Sequence, residues 1–405
     1  MRGIANKADS LTVGSVAIRF GGARRPSLNT LTTICLLAVC LMSSVLGALA
    51  ITKSVRGGDR DFVEFWAAGQ LLTHGGNPYE SSALLRLERL AGAGFNEPLI
   101  AMNPPVFFFL VAPLGFVGAK TAAILWTSLF IVSLVVSIHL SWILCGRPGG
   151  RLHWLGFCSG PVLTGLMAGQ IGILLLLGTV LFLYLHKSRP FLAGSALLLC
   201  CLKPHLFLPI GIVLLLWTVS RKQYRILAGI ATALLVTSAF AFFIDPQAWS
   251  QYAHFMIVAR PSELFVPTLS KMFRLLIHRD SAWLQFLPAV AGCCWAAWYF
   301  WNRRARWNWM EQGMLLLIVS VACAPYAWFT DEAVLLPALF TALYRRDDSG
   351  WALLSFSFLA GVPLAELLGG LWITTPFYIW TVPAWLAWYL YASHGDVQTP
   401  ARVPS

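Results

Sequence analysis

The sequence predicts an all-α integral membrane protein, a bundle of about twelve transmembrane helices, on three observations. Of its 405 residues 58% are hydrophobic and 11% charged, whereas a soluble domain carries roughly 25% charged residues. Leu-rich runs recur from residue 31 to residue 393, and a span takes about 20 apolar residues, fewer for helices held inside a bundle. The Lys and Arg residues sit in short hydrophilic breaks, as the positive-inside rule distributes them. The net charge of +12 therefore does not describe a nucleic-acid-binding face, which would gather its cations on one element.

The elements follow from those breaks. Residues 1–30 read as a basic cytoplasmic tail, 31–393 as one membrane domain and 394–405 as a second cytoplasmic tail. The apolar run at 31–50 ends in the small-residue sequence Ala48-Leu49-Ala50. A cleaved signal peptide is one reading, but the long tail and long apolar run favour an uncleaved first helix. Six breaks, the tail and 145–151, 186–189, 221–225, 301–309 and 344–350, hold 17 of the 29 basic residues and are expected on the cytoplasmic side. The first helix then leaves 53–103 outside as the first extracytoplasmic loop. Later segments pair as out-and-back helices: 152–168 with 170–186, 190–202 with 205–220, 226–244 with 281–301, 311–324 with 331–344, and 351–369 with 376–393. Residues 245–280 form a second large outer loop. Only one crossing is left for 104–144, so 104–118, interrupted by Pro104-Pro105 and Pro113, reads as an interfacial or re-entrant helix. All nine cysteines lie in or beside apolar segments, which predicts free, buried thiols.

This topology gathers polar side chains from distant segments on the outer face. Asp59, Asp61 and Glu64 directly follow the first helix. Helical spacing places Phe62, Phe65, Trp66 and Gly69 on one face, suited to lying on the membrane interface. Asp61 would head that helix, where a carboxylate ordinarily caps exposed N–H groups. Asn77-Pro78-Tyr79 is a turn, and His74 reads as a surface residue. Gln170, in the break Gly169-Gln170, is either a helix–helix hydrogen bond or part of a site. Lys203, in Lys203-Pro204-His205, is a lone cation in an apolar stretch, which makes it a functional candidate by default or a Lys snorkelling to headgroups. Arg260, Lys271 and Arg274 break the positive-inside rule in the second outer loop, either by touching headgroups or by binding an anionic lipid substrate. Asp331 and Glu332, after Ala324-Pro325-Tyr326, enter an apolar helix, and one of them is expected to face a polar cavity. No zinc-type Cys/His spacing, Gly-rich phosphate loop or nucleophile elbow occurs, which argues against soluble nucleotide-dependent chemistry.

The ordered set Asp61-Phe62 through Trp66-Ala67-Ala68, Leu71-Leu72, Pro78-Tyr79, Asn103-Pro104-Pro105 with Pro113-Leu114, Gly169-Gln170, Ala193-Gly194 with Lys203-Pro204, and Ala324-Pro325-Tyr326 with Asp331 resembles glycosyltransferase family 87. It covers roughly residues 58–345. The resemblance implies a GT-C-type membrane enzyme of the plasma (inner) membrane, similar to polyprenol-phosphate-mannose-dependent mannosyltransferases. It also implies a polyprenyl-phosphate sugar donor, an inverting transfer on the extracytoplasmic face to a glycolipid or glycan acceptor, and a catalytic Asp in the first loop, a position that Asp61 matches. Substrate contacts are then expected from Asp59, Glu64, Tyr79, Asn103, Gln170, Lys203, His205, Arg260, Lys271, Tyr326 and Asp331. The resemblance does not extend to Glu64, whose role is open. A monophosphate leaving group brings its own charge, so neither metal nor cofactor is called for. The rival reading, a transporter or flippase for a lipid-linked saccharide, is disfavoured because no internal repeat is apparent.

Overall fold

The computed structural model describes residues 30–56, 61–94, 96–259, 264–345 and 349–393. Among these every regular element is a helix. The chain begins with α1 (Thr30–Arg56), then α2 (Phe62–Thr73) and α3 (Ser81–Leu90) of the first loop. The stretch 105–116 breaks into a 3-10 turn at Pro105–Phe107, one turn of helix, α4 (Phe108–Val111), and a second 3-10 turn at Ala112–Phe116. Proline removes a backbone donor and restricts the residue before it, so 104–113 cannot run as one helix. After α5 (Ala119–Leu144) come α6 (Gly160–Ala168), α7 (Gly172–Leu185), α8 (Pro190–Ala196), α9 (Leu208–Ser220) and α10 (Tyr224–Ile244). The second loop holds α11 (Ala248–Ala259) and α12 (Leu269–Ile277). The chain continues through α13 (Leu287–Arg303), α14 (Gln312–Ala322), α15 (Leu336–Arg345), α16 (Ser349–Leu368) and α17 (Thr381–Ser393).

Each apolar segment marked out by the sequence holds a helix, but their lengths divide into two classes. Four among the described residues are long and apolar enough to cross a membrane: Thr30–Leu49 of α1, Ala119–Leu144, Tyr224–Ile244 and Gly350–Leu368. Their outer faces carry bare apolar side chains, among them Leu41, Leu235, Val236 and Phe243. Water would penalise such a surface and lipid does not. The remaining apolar helices are shorter: α7 has 14 residues and α14 has 11, or about 21 Å and 17 Å at the α-helical rise. The chain shortens them by breaking helices into 3-10 turns at Cys200–Leu202, Pro204–Leu206, Ala282–Phe286 and Phe329–Leu335.

Helix α2 departs from the expectation of an interfacial helix. Phe62, Val63, Glu64, Phe65, Trp66, Ala67, Ala68, Gly69 and Leu72 are all buried. Phe65 packs against Phe107 and Trp126 with ring centroids 5.2 and 5.4 Å away. On another side, Trp66 Nε1 donates to the Val117 carbonyl at 2.9 Å and Gln70 Nε2 to the Gly115 carbonyl at 2.9 Å. Gly69 and Gly115 let the two backbones meet, since a Cβ on Gly69 would overlap the Val111 carbonyl and one on Gly115 the Gly69 carbonyl. The apolar stripe read as a lipid-facing surface is a protein-facing one, because the broken 105–116 stretch covers it.

The nine cysteines are free, as expected. Cys145 and Cys200 are buried, but Cys40 and Cys294 are exposed, so burial of every thiol was an over-reading of their apolar context.

Candidate active site

Asp61 occupies the position before α2 with helical backbone angles (φ −54°, ψ −25°), and its side chain makes no capping hydrogen bond. Its Oδ2 instead accepts a 2.8 Å hydrogen bond from Gln170 Nε2, across 109 residues of sequence. The capping alternative is thereby replaced by a tertiary contact. Gln170 is aimed by the end of α6. Gly169 closes that helix in the left-handed region (φ 80°), a conformation that favours glycine. A Cβ there would stand 2.7 Å from the Phe62 Cβ. Trp126 Nε1 donates to the Gly169 carbonyl at 2.8 Å and completes the seat.

The same break leads to the second polar pair. Gly172, the first residue of α7, abuts the Thr330 carbonyl so closely that a Cβ would overlap it. That contact docks α7 on the 3-10 turn Phe329–Leu335. Within the turn, Asp331 is fully buried. Its Oδ2 accepts from the Trp328 backbone N–H at 3.0 Å, and its Oδ1 accepts from Lys203 Nζ at 2.8 Å. Lys203 stands between two 3-10 turns with extended backbone (φ −135°, ψ 70°), which turns its side chain inward. The snorkelling alternative does not hold, for Lys203 is salt-bridged inside the bundle. An ammonium has three donors; among the described residues only the one to Asp331 is engaged.

Asn103 extends the site. Its Nδ2 donates to the Leu202 carbonyl at 2.9 Å, and its own carbonyl accepts from Tyr79 Oη at 3.2 Å. Tyr79 also stacks on Phe255 with centroids 5.5 Å apart, and burial raises its pKa, so it acts as a neutral donor. His205 meets Tyr326 edge-on at 5.8 Å. Three pairs, Asp61 with Gln170, Asp331 with Lys203 and Tyr79 with Asn103, are thus drawn from the first loop and from three helix breaks. Chain neighbours bring them near one another: Gly172 lies against Thr330, and Asn103 holds the Leu202 carbonyl next to Lys203.

Residues 245–280 contribute differently than expected. Arg274 is buried, with Nε donating to the Arg279 carbonyl at 2.7 Å and Nη1 to Gln285 Oε1 at 3.4 Å. Gln285 in turn donates to the Pro325 carbonyl at 2.7 Å. Arg274 is thus a brace behind the Pro325 turn and not an open anion contact. Lys271 is likewise buried, in the first turn of α12, where Thr268 Oγ1 accepts its backbone N–H at 3.1 Å. Asp59 and Arg260 lie outside the described residues. Of the two acids near residue 331, neither is solvated: Asp331 takes the ion pair and Glu332 Oε1 accepts from Thr381 Oγ1.

Sequence reasoning missed Trp126, whose indole N–H holds Gly169, and the Leu202 carbonyl that anchors Asn103. A Trp in an apolar helix and a backbone carbonyl carry no signal that separates them from their neighbours. It also passed over the cleft of about 390 Å³ lined by Gln70, Thr73, His74 and residues 115–118. That cleft opens at the far end of α2, about 15 Å of helix from Asp61.

No curated protein and no solved structure matches the chain. A family model, Glycosyltransferase family 87, matches residues 102–365. The matched stretch holds Asn103, Gln170, Lys203 and Asp331, and begins after Asp61. With its greater part so matched, the chain belongs to glycosyltransferase family 87.

Proposed function

We propose that this membrane glycosyltransferase moves a hexose, mannose, from a polyprenyl-phosphate donor to an extracytoplasmic glycolipid or glycan acceptor with inversion. In this reading Asp61 is the general base. Its carboxylate takes the proton of the acceptor hydroxyl as that oxygen attacks the anomeric carbon. The bond between the anomeric carbon and the phosphate oxygen breaks from the opposite face, and its electron pair leaves with the polyprenyl phosphate. Lys203 stabilises the leaving phosphate through its two remaining N–H groups, held by Asp331 so that little reorganisation accompanies the reaction. Arg260 and Lys271 are further candidates for that charge. Asp59, Tyr79, Asn103, His205 and Tyr326 would line the substrates. The phosphate needs no metal partner beyond these cations.

The observation that carries the reading is the Asp61–Gln170 hydrogen bond. It withdraws the carboxylate from a capping role and holds it, half-buried, beside the break that leads to Asp331 and Lys203. The rest of the proposal follows the charge topology: about twelve crossings of the plasma (inner) membrane, both termini cytoplasmic and the site on the outer face. Incubating the purified protein with radiolabelled polyprenyl-phosphate mannose, the glucose and galactose analogues, and nucleotide sugars tests the donor class. Consumption of a polyprenyl-phosphate sugar without a membrane gradient supports it; consumption of nucleotide sugars alone overturns it.

A further inference from the structure

Glu64, expected among the substrate contacts, takes no part in the proposed reaction, and its surroundings are unusual for a carboxyl group. It stands three residues after Asp61, one helical turn on and on the same face. Its backbone N–H donates to the Asp61 carbonyl at 3.1 Å and closes the first turn. The side chain is only 9% exposed, and among the described residues its carboxyl has no hydrogen-bond partner. A carboxylate so little exposed and without a hydrogen-bond donor is disfavoured, and its oxygens are not among the fully enclosed polar atoms, so they are open to a ligand.

The charges facing it come from three elements: Asp61 at the head of its own helix, Glu88 on α3, and Lys203 between α8 and α9. Burial, and then the Asp61 charge, raise the Glu64 pKa well above the usual carboxylate range; Lys203 acts in the opposite sense and Glu88 adds a smaller upward push. The two carboxyls of one turn thus differ in their surroundings: Asp61 accepts from Gln170 and Glu64 has no such donor. A neutral carboxyl offers an O–H donor that a carboxylate lacks. In the proposed reaction the transferred sugar lies between the base and the cation that meets its phosphate, and Glu64 feels both Asp61 and Lys203.

We infer that Glu64 donates its carboxyl hydrogen to one hydroxyl of the transferred sugar and so selects the donor hexose. This rests on the assignment of Asp61 and Lys203 above. A site built to hydrogen-bond a substrate hydroxyl discriminates against a sugar lacking it, because the buried protein group is left unpaired. A purely structural Glu64 would penalise every donor alike.

The test measures kcat/KM for wild type, Glu64→Ala and Glu64→Gln with polyprenyl-phosphate mannose and with analogues lacking one sugar hydroxyl at a time. On intact donor, Glu64→Ala is expected to lose roughly tenfold to a hundredfold, the range for one buried hydrogen bond in a reacting complex. Glu64→Gln, which keeps shape and a donor, recovers most of that loss. For one deoxy donor the Ala penalty collapses to within about twofold, the coupling expected of two groups in contact. An equal Ala penalty on every donor overturns the inference, as does a Gln variant no better than Ala. Glu64→Met serves in place of Glu64→Ala if the smaller side chain prevents folding. An active wild type with uniform penalties refutes the sugar contact alone. A folded wild type that consumes no polyprenyl-phosphate sugar refutes the donor reading, and the sugar contact falls with it.

Discussion

Lys203 and Asp331 show what one residue can and cannot announce. Both stand out in the sequence because ionisable groups are rare in apolar segments, and both were legible as candidates. Their pairing was not, since nothing in local spacing tells a Lys which carboxylate 128 residues away it meets. The same holds for Asp61 and Gln170, and for the choice between a capping and a tertiary role. The ion pair has a measurable consequence. Removing one partner of a buried pair leaves the other charge uncompensated, at a cost of about 3–5 kcal/mol, discounted somewhat because Lys203 keeps 12% exposure. Asp331→Asn is therefore expected to lower the thermal unfolding temperature markedly. The double variant Lys203→Met with Asp331→Leu should recover most of that stability in a scanning fluorescence assay while restoring no transfer. Recovery of activity in the double variant would exclude the pair from the chemistry.

At the scale of elements, the site exists because helices stop early. Each break at Gly169-Gln170, Cys200–Leu206 and Phe329–Leu335 presents a side chain inside the bundle, and the Gly169 and Leu202 carbonyls are released to accept from the Trp126 and Asn103 side chains, which a continuous helix would not allow. The sequence made the breaks visible through Gly and Pro, but their placement against one another depends on close backbone approaches. Such approaches are set by tertiary packing, and periodicity does not encode them; for the same reason α2 was misread as an interfacial helix. Gly172→Val is expected to destabilise by about 1–3 kcal/mol, the usual cost of overpacking, because the new Cβ meets the Thr330 carbonyl. Gly211→Ala in α9, where a Cβ has open space, should be neutral or stabilising by up to about 1 kcal/mol through helix propensity. Comparable unfolding temperatures for the two variants would contradict the docking of α7 on the Asp331 turn.

The molecule as a whole reads as a membrane bundle with a buried first loop, and that loop should respond to pH. Glu88 on α3 is fully buried, and its carboxylate oxygens accept the Leu99 N–H at 3.1 and 3.2 Å. Burial pushes its pKa up to about 7, the Leu99 hydrogen bond opposing, against about 4.3 for an unperturbed Glu. The folded state thus holds the proton more tightly. The stability this contributes is complete below about pH 4.3 and lost as pH rises through about 7. Wild-type unfolding temperatures should fall between pH 5 and 8, and Glu88→Gln should flatten that fall; an unchanged slope would exclude Glu88 as its source. The bundle class, the order of apolar segments and the polar residues at their breaks were legible from composition and charge placement. The mixture, among the described residues, of four long helices with shorter broken ones was not, because hydropathy reports how apolar a segment is and not where its backbone leaves the helix. The central claim, that Asp61 is the base of a transfer from a lipid-linked sugar, is tested most directly by one comparison. Wild type and Asp61→Asn, purified in parallel and matched in unfolding temperature, are given radiolabelled polyprenyl-phosphate mannose with a crude membrane glycolipid fraction as acceptor. Label should pass to acceptor with wild type, and the rate should drop by about 10²–10⁴ with Asp61→Asn. Undiminished transfer by Asp61→Asn would contradict the account.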